Sequence, residues 1–173
     1  MRKVSAASGT ALFFAAAPGV VAGALPWALT GWRPAGDLPA GLRVVGGAVT
    51  FVAAALLIHS FARFVIEGSG TPAPSSPTER LVVGGLYRYV RNPMYLAVLS
   101  AILGQALLFG QVVLVPYAVV VLAAVVSFVR WYEEPTLSER FGPEYDRYRA
   151  SVPGWFPRLP SAATPPGPVD RTG

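Results

Sequence analysis

Four long runs with almost no charge in them leave this chain few possible folds. They lie near Ala11–Trp32, Val44–Ile66, Pro93–Gly110 and Gln111–Trp131. A bilayer-spanning helix needs about 20 mostly apolar residues, and each run approaches that length. The chain has 173 residues, only 13% of them charged, where a soluble domain carries about 25%. Mean hydropathy is +0.49. The expected fold is therefore all-α: an integral membrane bundle of about four transmembrane helices plus a C-terminal interfacial helical segment. The junction at Gly110–Gln111 is short and uncharged, so the last two helices should form a tight hairpin.

The basic residues set the expected orientation. Arg2, Lys3, Arg80, Arg88, Arg91, Arg130, Arg140, Arg147, Arg149, Arg158 and Arg171 fall on one side of the membrane. Only Arg33 and Arg43 fall on the other, and Arg63 lies within the second run. Eleven against two places both termini on the cytosolic side of the inner membrane. A net charge of +5 could suggest nucleic acid, but the basic residues flank apolar runs and make no separate basic face. With no cysteine, thiolate metal sites, disulfides and thiol nucleophiles are excluded. A signal peptide ending at Ala22-Gly23-Ala24 is an alternative for the first run. Its apolar character continues to Trp32, which favours a retained helix.

Residues 1–158 read as one membrane-embedded domain. Gly68–Pro77, GSGTPAPSSP, cannot be continuous helix and reads as an extended strap. Residues 159–173 are rich in proline and poor in charge, the composition of a disordered tail. Between the fourth run and that tail, Leu137, Phe141, Tyr145 and Tyr148 recur at helical spacing. Gly142-Pro143 should break this segment into two short helices. Its aromatic stripe suits the membrane surface or packing against the inner loop.

Three groups could carry chemistry. The first is Leu81–Tyr95, LVVGGLYRYVRNPMY. Gly84 and Gly85 permit close backbone approach. Pro93 suits a first helical turn, with Asn92 as N-cap. Amides at such a helix start can face a carboxylate, although tyrosine and arginine are also ordinary headgroup anchors. The second is Trp131-Tyr132-Glu133-Glu134. Acids at a helix C-terminus oppose its macrodipole, so a cation should sit nearby unless they only mark the water boundary. The third is His59, Arg63 and Glu67, spaced by four on one helical face. There Arg63 can snorkel and pair with Glu67, and His59 reads as a satisfied polar residue between helices.

Together these features resemble the isoprenylcysteine carboxyl methyltransferase and phospholipid methyltransferase superfamily. That superfamily carries G-x-Y-x-x-x-R-H-P-x-Y-x-G, a helical hairpin, an acidic pair, and F-G-x-x-Y-x-x-Y-x-x-x-V-P. This chain has Gly85-Leu86-Tyr87, Arg91-Asn92-Pro93-Met94-Tyr95, Glu133-Glu134, Phe141-Gly142, Tyr145, Tyr148 and Val152-Pro153 in the same order. The match covers about residues 70–158. The first two helices carry no motif.

The resemblance implies a membrane methyltransferase that uses S-adenosylmethionine at the inner face. Leu81, Val82 and Tyr87 would wall the cofactor site, followed by Asn92, Pro93 and Tyr95, with Arg88 and Arg91 framing its mouth. One or both of Glu133 and Glu134 would hold the cofactor's ammonium. Arg130 falls near where carboxyl methyltransferases keep a substrate-contacting arginine and is the expected catalytic residue. No metal is implied. The implied partner is a lipophilic or lipid substrate within the membrane lipids. A carboxylate acceptor, an amine acceptor and a non-catalytic protein on the same fold all remain open. Two positions depart from the pattern: Asn92 stands for the usual histidine and Ala97 for the usual glycine.

Overall fold

The structure is a computed structural model and describes residues 17–68 and 81–158, without the side chains of residues 64–68. Five helices are traced here: α1 (Ala17–Thr30), α2 (Ala40–Gly68), α3 (Pro93–Phe109), α4 (Leu114–Phe141) and α5 (Pro143–Ser151). A 3₁₀ turn, Gly85–Arg88, precedes α3. No strand occurs among the described residues. The expected strap at Gly68–Pro77, the tail at 159–173, the Glu67 side chain, and Arg2 and Lys3 all lie outside the described structure.

α3 is the central helix, with α2 packed along it and α1 and α4 beside it. Small residues make the α2–α3 contact possible. A Cβ on Gly46 would lie 2.7 Å from Gly104 O, and one on Gly104 would lie 2.5 Å from Thr50 Oγ1. Removing those side chains lets two backbones approach closely enough for van der Waals packing to hold them in lipid. The core continues through Val98, Ile102, Leu114, Ala118 and Val121. Large apolar side chains elsewhere stay uncovered. Val44, Phe51 and Ile58 are 71%, 76% and 69% exposed, which suits a lipid-facing surface and not a soluble one.

Two helices, Ala40–Arg63 and Leu114–Phe141, are long and apolar enough to cross a bilayer on their own. α1 and α3 are shorter apolar helices, so four full spans is more than the described structure contains. Both ends of α3 are set by sequence. Pro93 occupies its first turn behind Asn92, and Gly110 ends it at φ 67°. A side chain at Gly110 would run into Ala35 O. The hairpin that follows is as tight as expected.

α4 departs from expectation. Instead of stopping near Trp131 it runs on to Phe141. Pro135 should break it, since proline lacks an N–H and crowds the carbonyl four residues back. A five-residue π-helical segment, Val129–Glu133, absorbs the conflict: the Glu134 amide bonds Val129 O. α1 repeats the device. Pro26 follows a π-helical segment, Val20–Ala24, in which the Leu25 amide bonds Val20 O. The carbonyls displaced there are met from other helices. Gln105 Nε2 donates to Ala22 O at 2.6 Å, and Tyr117 O–H donates to Val21 O at 2.7 Å. Within a bilayer such backbone groups need partners from the protein itself.

Candidate functional site

The entry to α3, the π-helical segment of α4 and the chain after α5 meet at one end of the bundle. Gly85 begins the 3₁₀ turn with φ 57°, a left-handed conformation that only glycine adopts without strain. The turn buries Tyr87 beside Val82 and Met94, with Leu57 and Phe61 of α2 against them. Tyr148 O–H then donates to Tyr87 O at 2.8 Å, tying α5 to the turn.

Arg91 joins these pieces. Its backbone amide donates to Pro153 O at 2.9 Å and its Nε to Val152 O at 3.0 Å. Its Nη1 lies 2.7 Å from Glu134 Oε1 and 3.2 Å from Tyr145 O–H. The side chains of Arg91 and Glu134 are only 14% and 15% exposed, so the pair is shielded from water and tighter than a surface ion pair. Arg149 approaches the other Glu134 oxygen at 3.4 Å. Next door, Asn92 Nδ2 donates to Gly154 O at 3.1 Å, and the Arg158 amide donates to Tyr89 O at 3.0 Å. Residues 152–158 are thereby strapped across the α3 entrance.

Glu133 ends the π-helical segment and Glu134 follows it, in the interior of α4. They are not at its C-terminus, so the dipole argument from sequence does not apply. A cation does sit beside them, and it is Arg91. Widening the turn to i→i+5 bonding brings neighbouring side chains closer in angle than the α-helical step of about 100°. Glu133 and Glu134 both reach the same cavity. Glu133 Oε2 accepts from Tyr95 O–H at 3.0 Å, which orients one acid while Arg91 orients the other.

The cavity is about 60 Å³ and partly open to the surface, lined by Leu81, Val82, Tyr87, Arg91, Asn92, Val129, Glu133, Glu134, Leu137, Tyr145 and Tyr148. Seven of the sequence-expected residues therefore share one cavity: Leu81, Val82, Tyr87, Arg91, Asn92, Glu133 and Glu134. Pro93 is buried under it as the first residue of α3, and Tyr95 acts through Glu133. Arg130 is exposed and is not among the lining residues. Val129, Leu137, Tyr145 and Tyr148 were not expected as lining. The aromatic stripe was visible, but the sequence could not say whether it faced lipid or loop; three of its four residues face the cavity. Burial raises the pKa of Tyr145 and Tyr148 above the ordinary phenol value, and the nearby Arg91 charge offsets part of this.

The profile of the family described as "Phospholipid methyltransferase" matches residues 42–144. A curated relative, the Protein-S-isoprenylcysteine O-methyltransferase of Schizosaccharomyces pombe, is 36% identical over 80 residues. That alignment takes in 46% of this chain and 34% of the relative, so the chain spans about a third of the curated protein it matches. No solved structure matches the chain. The matched span holds α3, both acids and the strapped turn, and on this ground the chain belongs to the phospholipid methyltransferase family of integral membrane methyltransferases.

Proposed function

We propose that this protein transfers a methyl group from S-adenosylmethionine to a lipophilic acceptor bearing a carboxylate, in the manner of isoprenylcysteine carboxyl O-methyltransferases. The reading rests on one observation: two shielded acids, a guanidinium and a tyrosine-walled slot converge at one end of a membrane bundle. That donor set suits the cofactor. Glu133 and Glu134 would hold its ammonium, Arg91 its carboxylate, and Tyr87, Tyr145 and Tyr148 its purine. The cavity of about 60 Å³ is below the roughly 300 Å³ at which ligand pockets begin. In this reading the site widens on binding and Arg91 parts from Glu134, which leaves one charge for each end of the amino-acid moiety.

When bound, the cofactor supplies an activated methyl carbon whose bond to sulfur breaks as the acceptor's lone pair bonds to carbon. The chain's own contribution is position. Tyr95 keeps Glu133 aimed inward, and the 152–158 strap excludes water. Alignment of this kind can supply much of a displacement's rate. Arg130, exposed beside the acids on the same helix, would meet an acceptor arriving from the lipid. The site would face the cytosol from the inner membrane.

The family description favours a second reading, lipid amine N-methylation, and the curated relative favours the first. Radiolabelled S-adenosylmethionine incubated with the protein and a total lipid extract separates them. A labelled base-labile ester supports the carboxylate acceptor and a labelled amine the alternative. Calorimetry of Glu133→Gln and Glu134→Gln checks the site, since unchanged cofactor affinity in both removes the acids from it.

A further inference from the structure

We infer that His59 and Arg63 of α2 form a recognition site for the anionic group of the lipophilic acceptor, beside the cavity described above. This inference rests on the proposed lipid-methylating function.

The two residues converge on the glycine turn. A Cβ placed on Gly85 would lie 3.2 Å from His59 Nε2, 3.2 Å from Arg63 Cγ and 3.4 Å from Arg63 Nε. Imidazole and guanidinium stem thus flank one backbone atom. Two residues further on, Tyr87 lines the cavity, so a single 3₁₀ turn separates the basic pair from the acids' side. Both residues are exposed on the bundle surface. Both lie in the last two turns of the candidate span Ala40–Arg63, where an ionisable side chain beside the hydrocarbon is a candidate for binding. Among the described residues no carboxylate pairs with His59.

The same face of α2 supplies a place for the tail. Val52, Leu56, His59 and Arg63 fall at i, i+4, i+7 and i+11, a single helical stripe. Val52 and Leu56 are exposed large apolar residues. The stripe therefore presents an apolar track that ends in two basic groups, beside the turn whose Tyr87 lines the cavity. Its complement is an amphiphile with an oxyanion head, either carboxylate or phosphate, and a hydrocarbon tail along Val52 and Leu56. On this arrangement α2 holds the acceptor at the cavity wall and α4 supplies the acids that hold its co-substrate.

The test uses the full chain in phosphatidylcholine nanodiscs, with wild type, His59→Gln, Arg63→Gln and the double variant. Three probes are titrated by microscale thermophoresis: N-acetyl-S-farnesylcysteine, its neutral methyl ester, and dioctanoyl phosphatidic acid. The double variant should lose at least about tenfold in affinity for an anionic probe and keep its affinity for the ester. Loss confined to the cysteine compound assigns the oxyanion as carboxylate; loss confined to phosphatidic acid assigns phosphate. Equal affinities across all variants, or equal loss for the ester, would make the pair mere headgroup anchors and overturn the inference. Unchanged thermal midpoints confirm folding, and His59→Gln alone, on an exposed position, should show a partial loss. Absence of S-adenosylmethionine binding by wild type would sink the function proposed above while leaving these probe affinities readable.

Discussion

Replacing Arg91 by glutamine should open the strap over the α3 entrance, and the structure allows the size to be worked out. The guanidinium makes three charge-assisted hydrogen bonds, to the Glu134 carboxylate, Val152 O and Tyr145 O–H. A hydrogen bond involving a charged group contributes about 1.5–3 kcal/mol. Because all three share one side chain they are not additive, and Arg149 still compensates part of the Glu134 charge. Arg91→Gln should therefore weaken strap closure by about 2–4 kcal/mol, well below the simple sum, because one charge is shared among the three contacts. At tenfold for each 1.4 kcal/mol, local opening rises by about 30- to 700-fold. The Arg158 amide reports on it, because it bonds Tyr89 O across the strap and is remote in sequence from the substitution. Hydrogen–deuterium exchange in detergent should show that acceleration at Arg158, with the α2 and α3 interiors unchanged. Exchange at Arg158 within threefold of wild type would mean that backbone bonds alone hold the strap, and the role given to Arg91 would be wrong.

Two further outcomes follow from the packing. Gln105→Leu removes the donor to Ala22 O and the acceptor for Trp32 Nε1. That should cost about 1–2 kcal/mol, between the average for intramembrane hydrogen bonds and the cost of an orphaned carbonyl, and lower the thermal midpoint in detergent by about 2–8 °C; an unchanged midpoint would show that Pro26 leaves no carbonyl in need. Tyr148 has a raised pKa in the fold, chiefly from burial, so its neutral form stabilises the α5 contact below the unfolded value of about 10 and that stability declines as pH rises above it. Strap exchange should accelerate on alkaline titration in wild type, and the acceleration should shrink in Tyr148→Phe.

Two of the four expected spans, α2 and α4, were legible because lipid imposes a length and a composition. α2, the hairpin after Phe109, and the Gly142-Pro143 break between α4 and α5 all sit where apolar runs, glycines and prolines put them. The acids and the tyrosine–glycine loop were legible as residue types in an ordered motif. Three things were not. The fourth run was expected to end near Trp131, yet a π-helical segment carries α4 past Pro135 to Phe141, since hydrogen bonding can be rearranged whenever other helices hold the backbone in place. The partner of the acids could have been a ligand or any loop arginine, and only the meeting of α4 with the α3 entrance chose Arg91. Arg130 is three residues before Glu133 in sequence but exposed and outside the cavity lining, because orientation about a locally widened helix is not fixed by spacing alone.

By itself the sequence determined a membrane bundle and the inventory of its reactive groups, because burial in hydrocarbon depends on composition and length. Tertiary structure decided which groups meet. Val152, Pro153 and Gly154 lie about sixty residues from Arg91 and Asn92 in sequence, yet their carbonyls close the site. Contacts that distant form only after the helices have packed.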